Sequence, residues 1–318
     1  MQTLQDVLER RQIAIYFGAV SMAVALALLI RGTAALESAV NPALALMLYV
    51  TFLQVPVAEL RRAFGRIRFL FALLVANFAV VPLLVAILMP FVPAEPMVRL
   101  GVLLVLLTPC IDYVVTFSQM GRADARLLLA ATPALLVAQM LLLPVYLATF
   151  LGADAAQLVH VGPFVQAFLW LIALPLVLAS FTQLWAAGSS TGTRVAARLA
   201  LLPVPATALV LFVVVAAVLP QLGPAADAAL RVVPIYIAFA VVAPLFGWMV
   251  ARLFRLEATA GRAIAFSTST RNSLVVLPLA LAVPGAIPIL PAVIVTQTLV
   301  ELLSELAYVR IIAKFGQT

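Results

Sequence analysis

The sequence has a single cysteine, Cys110, and a single histidine, His160. One thiol excludes an intramolecular disulfide framework. One histidine with no second thiol or imidazole beside it excludes the usual zinc spacings, so no structural metal is expected. Charge is also scarce, at 10% of the 318 residues. There is no HExxH, no aspartate-rich diphosphate motif and no nucleotide-binding loop, which argues against an enzyme and against a cofactor. The net charge of +7 raises the question of nucleic acid. The basic residues are scattered through short connections without aromatic platforms, however, so no nucleic-acid partner is expected.

What the chain has instead is apolar length. At 66% hydrophobic residues it lies outside the range of water-soluble domains and reads as an all-α membrane protein, with the lipid bilayer as its first partner. Apolar runs of about 20 residues predict about ten spanning helices, near 13–31, 40–58, 69–92, 97–119, 126–150, 163–186, 198–220, 229–253, 262–284 and 288–312. The first is counted as a helix and not a cleaved signal, because Asp6 and Glu9 stand beside Arg10 and Arg11 and the apolar run is too long.

Basic residues alternate along the chain. Arg10, Arg11, Arg61, Arg62, Arg66, Arg68, Arg122, Arg126, Arg194, Arg198, Arg252, Arg255, Arg262, Arg310 and Lys314 fall on one side of the predicted bundle, and only Arg31, Arg99 and Arg231 on the other. The positive-inside rule then puts both termini in the cytoplasm and the protein in the inner (plasma) membrane. The chain is expected to be a single transmembrane domain, 1–318. It divides at Leu151–Gly162 into halves of five spans, 13–150 and 163–312. An odd number per half inserts the two halves in opposite senses, the inverted-repeat layout of secondary transporters.

Four ionisable residues, Asp112, Arg271, Glu301 and Glu305, interrupt the apolar runs. Each costs roughly 2.5–3.5 kcal/mol at a helix centre, so four unpaired ones would cost on the order of 10 kcal/mol. A polar site between helices is the expected compensation. The fourth span contains Thr108-Pro109-Cys110-Ile111-Asp112, and the ninth contains seven consecutive polar residues, Ser267-Thr268-Ser269-Thr270-Arg271-Asn272-Ser273. A polar run of that length cannot face lipid, and hydroxyls can satisfy backbone groups where a helix unwinds. Two broken helices crossing near the midplane are therefore predicted.

Pro109 to Phe117, continuing through Arg122-Ala123-Asp124, resembles the fourth-helix motif of arsenite efflux permeases of the bile acid:sodium symporter superfamily. Arg262 to Phe266, leading to Asn272-Ser273, resembles the superfamily's broken ninth helix, and Ala292-Val293-Ile294 through Glu301 its tenth. The resemblance implies a substrate thiol at Cys110, an intramembrane glutamate at Glu301 and a site amide at Asn272. It also exposes departures. Arg271 replaces the first of two adjacent amides, Asp112 stands where a small neutral residue is usual, and Ser267 stands where the sodium-coupled branch has a sodium-binding glutamate.

Three readings of Arg271 stay open. It pairs with Asp112 and stands in for sodium, it attracts an anionic substrate, or it forms a structural salt bridge pinning the broken helices. Cys110 is either packing or a soft ligand for trivalent arsenic. Gln297, Glu301 and Glu305 share one helix face, and two carboxylates one turn apart in a low dielectric do not readily ionise together. Glu301 is the expected essential proton carrier and Glu305 an auxiliary one, unless Glu305 reaches water at the cytoplasmic end. Asn77, followed by Pro82, is expected to line the cavity.

The resulting expectation is a secondary transporter of a small molecule or metalloid. It would export arsenite in exchange for H⁺ or driven by membrane potential, with a Na⁺-coupled symporter of organic anions as the alternative. Nothing in the sequence sets the oligomeric state.

Overall fold

The computed structural model describes residues 2–30, 32–54, 66–111, 113–152, 166, 169–221, 225–281, 283 and 288–316. Among them the secondary structure is helical apart from one isolated β-bridge, as expected where a backbone must satisfy its polar groups without water. The helices are α1 (Gln2–Leu29), α2 (Glu37–Leu53), α3 (Ile67–Val75), α4 (Val81–Leu88), α5 (Pro96–Leu106), α6 (Tyr113–Met120), α7 (Ala125–Leu151), α8 (Leu174–Gly188), α9 (Ser190–Leu199), α10 (Pro203–Val218), α11 (Ala226–Leu253), α12 (Ala258–Ser269), α13 (Ser273–Leu281) and α14 (Ile289–Ile311). A π-helical turn, Ala76–Val80, makes α3 and α4 continuous.

Six described helical stretches are long and apolar enough to cross a membrane, and α9 with α10, bent by 44°, makes a seventh. The predicted fourth and ninth spans are each divided into two short helices, α5/α6 and α12/α13, around a non-helical interruption. The predicted sixth span begins outside the described residues.

The chain forms two compact units. The first comprises Met1–Pro56 and Val161–Pro224. Its α1 packs on α10, and α10 and α8 pack on α2. Ala23 and Ala216 are fully buried beside Val215, with Val20, Val24 and Phe212 around them; small residues here let the backbones approach closely. Polar contacts here include the Tyr49 and Thr182 hydroxyls, which meet at 2.9 Å, and Gln183 Nε2, which donates to the Phe52 carbonyl at 3.2 Å. Gly188-Ser189-Ser190-Thr191-Gly192 matches the spacing of a serine-hydrolase elbow, but it joins two helices, and the Ser189 hydroxyl caps α9 by accepting from the Gly192 N–H. That elbow requires a strand before the turn.

The second unit comprises Val57–His160 and Ala225–Thr318, with α11 packed on α12 and α14. At Gly247 an added Cβ would lie 2.2 Å from Thr268 Oγ1 and 2.9 Å from Ala265 Cα, so only glycine permits this approach of α11 to α12. Two prolines in this unit are answered by two tyrosines. Pro82 has no N–H for the Phe78 carbonyl, and Pro244 has none for that of Ala240. The Tyr146 hydroxyl donates to the first and the Tyr308 hydroxyl to the second. The spans carrying Pro203 and Pro244, alike in sequence as kinked helices, thus fall in different units.

Candidate functional site

The two interruptions of the second unit are joined to each other. Pro109 and Arg271 form an antiparallel bridge in which the Cys110 N–H donates to the Thr270 carbonyl at 3.0 Å and the Asn272 N–H to the Thr108 carbonyl at 2.8 Å. In this register the bridged pair itself contributes no N–H to the ladder. Proline at 109 therefore loses nothing, and the N–H of Arg271 is left for another partner.

The polar residues explain how each helix ends. The Thr108 hydroxyl donates to the Leu104 carbonyl at 2.8 Å. Before the second interruption, Thr268, Ser269 and Thr270 return their hydroxyls to carbonyls three or four residues back, at Ile264, Ala265 and Phe266. The hydroxyls thereby fold back on the last turn of α12, whose Phe266 carbonyl also receives the Thr270 N–H, while the carbonyls left bare at the helix end find partners elsewhere, Ser267 at Arg271 Nη2 and Thr270 at the Cys110 N–H. Asn272 Oδ1 then accepts from the Val275 N–H at 3.2 Å and caps α13.

Arg271 is fully buried. Its Nη1 donates to the Leu106 carbonyl at 3.3 Å, and its Nη2 donates to Asn77 Oδ1 at 2.8 Å and to the Ser267 carbonyl. The guanidinium carbon lies 5.6 Å from the Phe239 ring centroid, within cation–π range. Asn77 sits in the π-helical turn and donates through Nδ2 to Ser267 Oγ at 3.0 Å. A fixed cation is thus held by neutral oxygens from α3–α4, α5 and α12.

Glu301, on α14, is the acceptor for the N–H that the bridge leaves over. Its Oε2 receives the Arg271 N–H at 2.6 Å and the Gln297 amide, and its Oε1 receives the Tyr113 hydroxyl at 2.5 Å. Glu305 is fully buried, with Oε1 at 2.5 Å from Thr270 Oγ1. The sequence alternative in which it reaches water does not hold in this structure.

Of the residues singled out from sequence, Asn77, Cys110, Ser267, Arg271, Asn272, Glu301 and Glu305 all belong to this one unit. Asp112, and with it the pairing of Asp112 with Arg271, lies outside the described residues. Cys110 is buried and not in a disulfide. Tyr113, Thr270 and Phe239 were not anticipated. Tyr113 lies inside the fourth-helix motif, Pro109 to Phe117, and Thr270 inside the polar run, so position offered a signal for both, while Phe239 carries none. Among the described residues, four buried polar atoms around the interruptions have no hydrogen-bond partner: Arg271 Nε and Asn272 Nδ2, which donate, and Gln297 Oε1 and Glu305 Oε2, which accept.

Multiple apolar spans with a buried polar centre on two interrupted helices define a multi-pass membrane transporter. The sequence model of the Sodium Bile acid symporter family matches residues 41–223, more than half of the chain, and the chain belongs to that family. The match includes the first interruption and ends before the second. No curated protein sequence matches the chain.

Proposed function

We propose that the protein is a sodium-independent secondary transporter that exports arsenite from the cytoplasm in exchange for protons. The observation that carries this reading is the set of unmatched polar atoms near a buried thiol. Two donors and two acceptors without partners suit a neutral, hydroxyl-bearing solute such as arsenous acid, whereas an anion would call for donors alone. Cys110 supplies the soft ligand that trivalent arsenic prefers. In the capture step an As–S bond forms, an As–O bond breaks, and the thiol proton leaves with the hydroxide as water; addition of water reverses it. A single thiol keeps the bond exchangeable, as release demands.

Sodium independence rests on Arg271. Its guanidinium occupies a cage of Asn77 Oδ1 and the Leu106 and Ser267 carbonyls, the kind of oxygen shell that would hold a small cation, and it cannot leave. The composition of the two units supports the inverted repeat of 13–150 and 163–312. The first unit takes the opening two spans of each half and the second unit the closing three. The charge alternation of the connections supports cytoplasmic termini in the plasma membrane. A carboxylate cargo is the second reading, favoured by Arg271 Nε as an uncommitted guanidinium donor.

Reconstituted vesicles with an imposed acid gradient test this. Arsenite flux is expected to follow the proton gradient, to be unchanged when choline replaces sodium, and to be lost in Cys110→Ala. Strong sodium dependence removes the guanidinium substitution, and normal arsenite flux in Cys110→Ala removes the thiol step.

A further inference from the structure

The two glutamates of α14 lie one helical turn apart and meet opposite surroundings. Glu301 accepts from three donors, the Tyr113 hydroxyl, the Arg271 N–H and the Gln297 amide, a set that suits a carboxylate. Glu305 has one hydrogen-bond partner among the described residues, Thr270 Oγ1, and its Oε2 has none. The Thr270 hydroxyl carries one hydrogen. Its oxygen also lies 2.7 Å from the Phe266 carbonyl oxygen, which can only accept. Each contact has a hydrogen of its own only if Thr270 donates to Phe266 and receives from Glu305, and Glu305 can donate only when protonated.

Among the described residues, the titratable and charged groups around Glu305 leave it no cation. On its own helix, the Tyr308 hydroxyl donates to the Ala240 carbonyl, and Glu301 is of like charge. From the interruptions, Arg271 Nη1 and Nη2 donate to Leu106, Asn77 and Ser267, and the Tyr113 hydroxyl to Glu301. On α12, Arg262 is bound to the Arg122, Ala313 and Phe315 carbonyls. A fully buried carboxylate with one donor and no counter-charge is a costly arrangement, and a neutral acid removes the cost.

We propose that Glu305, and not Glu301, holds the exchangeable proton in this state, and that the Thr270 hydroxyl passes its loss to the interruptions. This rests on the proton-exchanging transporter reading only for its role in transport. When the proton leaves, Glu305 becomes an acceptor on both oxygens, and the hydrogen of Thr270 turns from Phe266 to Glu305. The Phe266 carbonyl, in the last turn of α12, loses that hydroxyl. The carbonyl of the same Thr270 holds the Cys110 N–H, so the change acts on the residue that ties one interruption to the other.

Infrared spectroscopy of the purified protein in lipid nanodiscs at neutral pH tests the assignment. The carbonyl stretch of a protonated carboxylic acid is expected in wild type and in Glu301→Gln, lost in Glu305→Gln, and displaced in frequency in Thr270→Val. A band that survives in Glu305→Gln and vanishes in Glu301→Gln overturns the proposal. Should Glu305→Gln fail to fold, an undisplaced band in Thr270→Val overturns it. A Glu305-dependent band in a protein that moves no arsenite leaves the assignment standing and removes the export reading; arsenite flux with no such band does the reverse.

Discussion

The two units hold their helices together by different means. The first packs small and β-branched side chains, with Ala23, Val215 and Ala216 in its core and neutral hydroxyl and amide contacts such as Tyr49 to Thr182 and Gln183 to Phe52. The second buries two arginines and two glutamates and ties two helix interruptions to each other and to α14 through hydrogen bonds. Apolar packing between helices in lipid is tolerant, because neighbouring lipid is as apolar as leucine. A buried charge network is not, because each lost partner strands another group in a low dielectric. The second unit is therefore where sequence changes should be felt most, and where ligand chemistry can be linked to backbone rearrangement.

The comparison breaks if substitutions in the two units cost the same. The largest effect is expected for Arg271→Ala, which strands Asn77 Oδ1 and the Leu106 and Ser267 carbonyls; about 3–5 kcal/mol of stability should be lost, read by denaturant unfolding in detergent, with flux abolished. Tyr113→Phe removes one hydrogen bond to Glu301 and should cost about 2 kcal/mol in the same measurement. Cys110→Ala separates chemistry from packing. It should lower arsenite flux at least about tenfold, equivalent to about 1.4 kcal/mol, while shifting the unfolding midpoint little. Thr182→Val, which removes the Tyr49 contact of the first unit, is expected to cost only about 0.6 kcal/mol. A cost there matching that of Tyr113→Phe would erase the distinction between the units.

Sodium offers a sharper version. Ser267→Glu combined with Arg271→Gln restores, on the resemblance to the sodium-coupled branch, a carboxylate and an amide in place of the built-in cation. Sodium-stimulated flux should appear in the double variant and stay absent from wild type.

The interruptions were legible because their polar residues have no other use in an apolar span. Pro109 is a poor helix former, and the hydroxyls from Ser267 to Thr270 can bond locally to backbone without facing lipid. The face shared by Gln297, Glu301 and Glu305 was legible from their spacing alone. The division of labour between the two glutamates was not. Spacing gives Glu301 and Glu305 the same direction, and only the neighbours supplied by other parts of the chain, Tyr113 and Arg271 for one and Thr270 for the other, make one an acceptor of three donors and the other an acid. The tyrosine partners of the carbonyls freed by Pro82 and Pro244 were likewise invisible, since Tyr146 and Tyr308 lie 68 residues from the carbonyls they serve.

By itself the sequence determined that the chain spans a membrane repeatedly, that two spans are interrupted, and that a thiol, an arginine and three carboxyl groups fall within apolar runs, because the cost of polar groups in lipid leaves few ways to place them. Only the tertiary structure decided which oxygens surround Arg271, which carboxyl group receives the spare N–H of the bridge, and which hydroxyl meets Glu305. Such choices depend on contacts between residues far apart in the chain, and hydrogen-bond directions are fixed only once both partners are in place.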